Sequence, residues 1–290
     1  MRDLRRRFCA GWILNCLACI ALPAVAAAQQ RPLVTEDPET IGAGRVLIEG
    51  GITLERGVSY PVSGLEGNRF SVPTLGISVG VSSIAEIQVD GGLYQHLSIT
   101  NRNRRAPLAP LLIITDDDTS DVEDIVVATK IRLLGEAPGR PALGLRFATK
   151  LPNASNDAGL GTDLTDFYAS FLIGKTVQSV RVVGNAGLGI IGDPTTPEPA
   201  QNDLLTFGVS VARAMTTAAE VVAEVNGRLN FANGDPHPGA ENLATMRIGA
   251  RYTHGPVRFD GGVILGMTSR DPSFGVTGGF TWVLNAFRVP

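Results

Sequence analysis

His96 and Ser98 flank Leu97, and in a strand, where side chains alternate with a period of two, that spacing puts an imidazole and a hydroxyl on one face. A His beside a Ser is a general base beside a nucleophile, the pair with which some lipid hydrolases work at a membrane boundary. The phase set by Ile87, Val89 and Leu93, however, predicts that His96 and Ser98 point into an enclosed interior that membrane lipid does not reach. No other catalytic pattern stands out. His237 lies between Pro236 and Pro238, His254 lies in a short turn, and the cysteines are Cys9, Cys16 and Cys19, so no metal-ligand cluster and no cofactor are expected. There is neither a G-x-S-x-G elbow nor a Gly-rich phosphate loop ahead of a helix. The acidic run Asp116, Asp117, Asp118 with Asp121, Glu123 and Asp124 lacks the spacing of a calcium loop and reads as solvated charge.

The remaining polar chemistry is charge at every second position. From Ala219 to Phe231 one parity is apolar or small (Ala219, Val221, Ala223, Val225, Gly227, Leu229, Phe231). The other (Glu220, Val222, Glu224, Asn226, Arg228, Asn230) is almost wholly polar. That is a strand with one face in an apolar medium and one in a wet one. The pattern recurs at 45–56, 70–81, 85–97, 122–134, 141–151, 165–175, 180–191, 204–213, 219–231, 243–253, 257–267 and 274–284. The inward parity then carries Glu86, Asp90, Lys130, Arg132, Arg146, Lys150, Arg181, Glu220, Glu224, Arg228, Arg247, Arg251, Arg258 and Asp260, together with Glu49, Asp124 and Asp166. An Arg or Lys on the lipid face near the midplane would cost about 2–4 kcal/mol, which places these groups in a lumen. Two readings fit: a charged constriction that selects solutes, or a network of cross-strand ion pairs that fills a narrow interior. The basic members on 122–134, 141–151, 243–253 and 257–267 could form a one-sided strip favouring anionic solutes.

The N-terminus reads as a signal peptide: Arg2, Arg5, Arg6 and Arg7, an apolar stretch from Phe8 to Val25, then Ala-Val-Ala-Ala-Ala ending at Ala28. Cleavage there would remove 28 of 290 residues, four of them Arg and one Asp, leaving 262 residues whose net charge falls from −3 to −6. All three cysteines leave too, so an exported chain is expected to fold without disulfides. Its acidity and lack of a basic stripe argue against a nucleic-acid partner. No later run approaches the roughly 18 apolar residues of a membrane helix, yet mean hydropathy is +0.14. Alternating apolar positions reconcile the two.

The segments run close to the roughly 9–11 residues with which a tilted strand crosses a bilayer. Short links (82–83, 135–140, 176–179, 214–217, 254–256) alternate with longer polar ones (57–69, 98–121, 152–163, 192–203, 232–242, 268–273). Short turns facing the periplasm and long loops facing outward make an all-β, transmembrane antiparallel up-and-down barrel of about 12 strands. The expected organisation is a signal peptide over 1–28, a periplasmic lead segment over 29–44 and the barrel over 45–290. The lead segment either folds back to occlude the lumen or hangs free. Phe167, Phe207, Tyr252, Phe259, Phe280 and Trp282 are the candidates for a sparse aromatic girdle. Many such chains end on Phe for the barrel-assembly machinery, an expected partner; here Arg288, Val289 and Pro290 follow Phe287.

Arg31-Pro32-Leu33-Val34-Thr35-Glu36-Asp37-Pro38-Glu39-Thr40 resembles the opening of the outer-membrane transporter family of the phenol-degradation meta-cleavage pathway type. So do Ala128-Thr129-Lys130-Ile131-Arg132-Leu133-Leu134, Pro141 to Arg146, Lys150-Leu151-Pro152, Gly159 to Thr162 and Thr165-Asp166. The resemblance spans the mature chain and implies an outer-membrane barrel admitting small hydrophobic or aromatic molecules. The sequence reading is thus a Gram-negative outer-membrane barrel, not an enzyme, that passes small hydrophobic, aromatic or anionic solutes. Outer-membrane lipids and lipopolysaccharide are expected to surround it. A non-conducting structural barrel, and a lipid hydrolase built on His96 and Ser98, are the alternatives.

Overall fold

The computed structural model describes residues 31–196, 200–232 and 234–288; the expected signal peptide lies outside them. Fourteen strands follow in order: β1 Arg45–Tyr60, β2 Leu65–Gly80, β3 Ala85–Gly92, β4 Gln95–Arg102, β5 Asp118–Asp121, β6 Ile125–Leu134 and β7 Ala142–Leu151. Then come β8 Asp166–Val177, β9 Val180–Gly192, β10 Gln201–Ala214, β11 Ala219–Asn230, β12 Leu243–His254, β13 Val257–Gly266 and β14 Phe274–Asn285. Each strand pairs antiparallel with its neighbour, and β1 pairs with both β14 and β2. The sheet therefore closes on itself. β3 and β4 share β2 as one partner, and β5 and β6 continue each other opposite them, so the wall has twelve staves. Closure pairs the strands of the lower wall on both sides, the condition for a sheet in hydrocarbon.

Lipid-facing residues follow the alternation: Val209 and Val211 on β10, Val221 on β11 and Leu188 and Ile190 on β9 are all exposed. Tyr252, Phe259 and Phe280 lie side by side through their register, with Trp282 beside Val257, and form an aromatic patch at the turn end. Phe167 and Phe274 are exposed at the loop end. Phe207 stands apart, only half-exposed between Ala186 and Gly227.

The expected loop over 57–69 is strand instead: β1 and β2 run on to Tyr60 and Leu65, joined by the turn 61–64. The alternation also reverses partway up. β1 gains a register shift against β2 between Gly51 and Thr53, opposite Val72-Pro73. Pro73 has no N–H to give the ladder, and an extra residue there turns every later side chain of β2 to the opposite face. The same reversal crosses Leu93-Tyr94 and 122–124. Leu93 and Tyr94 both point outward, at 63% and 42% exposure. Beyond them Gln95 and Leu97 are buried, whereas Asn68, Ser98, Asp118 and Ser120 are exposed on the outer face. There the apolar parity faces inward. Leu65 and Leu97 pack with Tyr60 and Ile99 of the strands and with Leu112, Ile114 and Leu160 of the loops, so the top of the wall is a water-facing collar with a core of its own.

Candidate functional site

Residues 31–41 lie inside the barrel, circling its inner wall. At the turn end Ile41 gives its N–H to Glu86 at 2.7 Å. Glu39 meets Arg132 on β6 at 2.6 Å, and Asp37 meets Arg181 on β9 at 2.7 Å. Glu36 contacts Lys130 at 3.2 Å and Arg146 at 3.0 Å, while its backbone exchanges two hydrogen bonds with the Asn185 side chain, at 2.7 and 2.8 Å. The amides of Val34 and Thr35 both donate to Glu224 on β11 at 2.9 Å. Arg247 and Arg251 on β12 donate to the carbonyls of Pro32 and Arg31 at 3.3 and 2.8 Å. Arg31 completes the turn, pairing with Asp260 on β13 at 3.5 Å and donating to Thr277 on β14 and Thr74 on β2. This hoop needs no secondary structure, because wall side chains satisfy its backbone.

Its charges are distributed to suit. Acidic Glu36, Asp37 and Glu39 face the basic sector of β6, β7 and β9, and Arg31 faces acidic Asp260. Two wall glycines let the chain lie close: a Cβ at Gly208 would sit 2.8 Å from the Thr35 hydroxyl, and one at Gly249 would sit 2.8 Å from the Pro32 ring. Of the two expectations for the lead segment, the folded-back one describes residues 31–44.

The charged residues singled out on the inward parity meet in this lumen, many of them on the hoop. Others pair along the wall: Lys150 with Asp124 and Asp166, at 2.9 and 3.1 Å, and Arg251 with Glu220 at 3.6 Å. Asp90 lies 3.6 Å from Arg146, and Glu49 accepts from Thr281 at 2.9 Å. Arg258 is buried, reaching Thr281 and the Arg31 carbonyl at 3.5 Å. Arg228 gives its guanidinium to two loop carbonyls, Gly239 and Glu241, at 2.7 and 3.1 Å. On the loop side of the hoop two adjoining cavities of about 510 and 570 Å³ share Val34, Glu36, Glu55, Arg69, Arg146, Tyr168 and Arg247 in their walls.

Several of these partners carried no signal of their own in the sequence. Asn185, Gln88, Thr281 and the pair Glu55–Arg69 are ordinary polar residues of the inward face. Asn185 and Gln88 are singled out only by the hoop, through Glu36, and residues 31–41 have no period to reveal it.

His96 and Ser98 are not in the lumen. Above the reversal at Leu93-Tyr94 they face outward, lining a groove of about 520 Å³ with Leu54, Arg56, Phe70, Phe274 and Val276. The expectation failed because it carried the phase of Ile87, Val89 and Leu93 through the break. In place of a bond to Ser98, the His96 ring stacks on Tyr94, with centroids 6.4 Å apart and planes 9° apart. Among the described residues no group of three His, Cys, Asp or Glu side chains is placed to hold a metal ion.

A closed twelve-stave antiparallel wall with an apolar outer face and a charged, occupied lumen has the fold of bacterial outer-membrane β-barrels. The COG4313 outer membrane channel from Pseudomonas putida F1 superposes with a TM-score of 0.58 at 11% identity, over 86% of this chain and 98% of that one. The NanC porin does so with a TM-score of 0.50 at 8% identity, over 84% of this chain and all of that one. At such identities the likeness is one of fold. No protein-family model and no curated protein sequence matches the chain.

Proposed function

We propose that this protein is an outer-membrane channel for small molecules in which the hoop of residues 31–41 is the constriction. The observation that carries the reading is the pair of adjoining cavities, about 510 and 570 Å³, that end on the hoop. A barrel filled only for stability would need no such chamber. Most lumenal charge holds the hoop, so both readings of that charge apply: the ion pairs are structural, and what they position is the narrowest part of the path. The hoop is bound by side chains alone and can leave the wall without breaking a strand. Export by cleavage after Ala28 belongs to the same reading, since it leaves the first residue two positions ahead of Arg31.

Planar-bilayer recording tests this directly. The full mature chain is expected to conduct weakly or intermittently, and deletion of residues 31–41 to raise single-channel conductance several-fold. Zero conductance from both forms, in barrels shown to be folded by heat-modifiable gel mobility, would overturn the channel reading.

A further inference from the structure

The charges around one of the two cavities do not cancel, and the imbalance lies on one side. The cavity of about 510 Å³ is lined by Arg69, Arg146, Arg228, Arg247 and Arg270 against Glu36, Glu55 and Asp271. Arg69 is paired with Glu55, and Arg146 with Glu36. Asp271 accepts from the Thr268 hydroxyl and from the amides of Thr268 and Ala244. Five arginines against three carboxylates leave a surplus of two positive charges, and the arginines outside the two pairs lie on β11, on β12 and in the loop between β13 and β14. Arg228 is held by neutral carbonyls, which fix its guanidinium without cancelling its charge. Arg247 has Glu224 at 3.6 Å, so the surplus lies chiefly with Arg228 and Arg270, while the Arg247 Nε–H is buried without a hydrogen-bond partner. Arg270 is exposed at the mouth, its guanidinium in no hydrogen bond or ion pair among the described residues.

We propose that Arg270, Arg228 and Arg247 form an anion path down one wall of the chamber and that its ligand is a small organic carboxylate. A field of one sign in a cleft with low-dielectric walls concentrates ions of the opposite sign, and a guanidinium fork matches a carboxylate. Apolar Val34, Val58, Leu172 and Leu243 line the same space and suit the carbon body of such a molecule. The adjoining cavity has no such imbalance: Arg31, Arg69, Arg146, Lys150 and Arg247 face Glu36, Glu49, Glu55, Asp90 and Glu123. Anions would therefore keep to the β11–β12 side. The proposal rests on the channel reading for its purpose, but the site itself exists in the closed barrel.

The test is calorimetric titration of the detergent-solubilised, full mature barrel with benzoate, using benzyl alcohol as the uncharged counterpart. Benzoate is expected to bind and benzyl alcohol to bind at least about tenfold more weakly, the ratio that losing one charge-assisted hydrogen bond gives. Arg228→Gln and, separately, Arg270→Gln should each weaken benzoate about tenfold; the second removes a guanidinium with no hydrogen bond or ion pair among the described residues and is expected to spare the fold. Equal binding of the two probes, or benzoate binding unchanged in both variants, would overturn the site. Reversal potentials across a potassium chloride gradient separate the two proposals. Benzoate binding in a barrel that never conducts ends the channel reading and leaves the site; conductance without anion preference or benzoate binding does the reverse.

Discussion

The Lys130 ammonium lies 3.2 Å from Glu36 of the hoop and 2.9 Å from Glu86 of the neighbouring strand, with none of its own side chain exposed. One cation thus joins the wall to the hoop, and Arg146 shares the load at Glu36. Breaking a buried pair by removing one partner costs about 3–5 kcal/mol. Lys130→Met is therefore expected to unseat the hoop while the lipid-facing wall stays closed. A single Cys at position 35 should react with a water-soluble maleimide at least tenfold faster in this background than in the parent. Equal rates would mean that Lys130 does not hold the hoop.

Thr35 and Gly208 offer a lock. A Cβ built on Gly208 lies 3.5 Å from the Thr35 Cβ, within the roughly 3.5–4.5 Å range of disulfides. Treated with oxidised glutathione, which takes up the two electrons, the double variant Thr35→Cys, Gly208→Cys should form the 35–208 disulfide, with no competing thiol if cleavage of the leader removes the cysteines at 9, 16 and 19. In bilayers the oxidised form should lose the openings that the reduced form shows. Free thiols persisting in folded barrels would contradict the seating of the hoop.

The lipid face is tested by Val209, which is 55% exposed on β10. Val209→Arg should destabilise the barrel by about 2–4 kcal/mol if this position is near the bilayer midplane, read from urea-induced unfolding in vesicles. The same substitution at Glu220, on the lumenal parity, should not show the lipid penalty.

At the turn end Glu136 supplies a pH dependence. Burial pushes its carboxyl up, but the Thr176 amide at 2.8 Å, Lys175 at 3.3 Å, the Thr176 hydroxyl and Arg181 outweigh that and hold it below its ordinary value of 4.5. A group with a depressed folded pKa lends stability above its unfolded pKa and loses it as the pH falls through the folded one. Glu136→Gln should thus lower the temperature at which the folded gel band disappears at neutral pH. The gap from the parent should narrow below pH 4.5 and close once Glu136 is protonated in the folded barrel. A gap that is constant down to strongly acid pH would show that the charge of Glu136 contributes nothing.

The wall was readable where one rule governs a whole strand. Ala219–Asn230 needed only its alternation, and the stave count followed from repetition and from loop lengths. His96 and Ser98 were misplaced because the alternation breaks at Leu93-Tyr94, opposite the register shift at Val72-Pro73, and two adjacent outward side chains do not stand out as a break in the sequence alone. The hoop was hidden for a different reason. Glu36 meets Lys130 across 94 residues and Asp37 meets Arg181 across 144, and no local pattern encodes such partners. What could be seen was only that both sets of charges existed.

The face reversal at Pro73 also acts as a depth gauge. Sinking the barrel into the bilayer would drag Asn68, Ser98 and Asp118, which are level with one another, into hydrocarbon; lifting it would strand Leu93 and Leu75 in water. The chain carries its own waterline, written on three adjacent staves, and its height in the membrane needs no outside anchor.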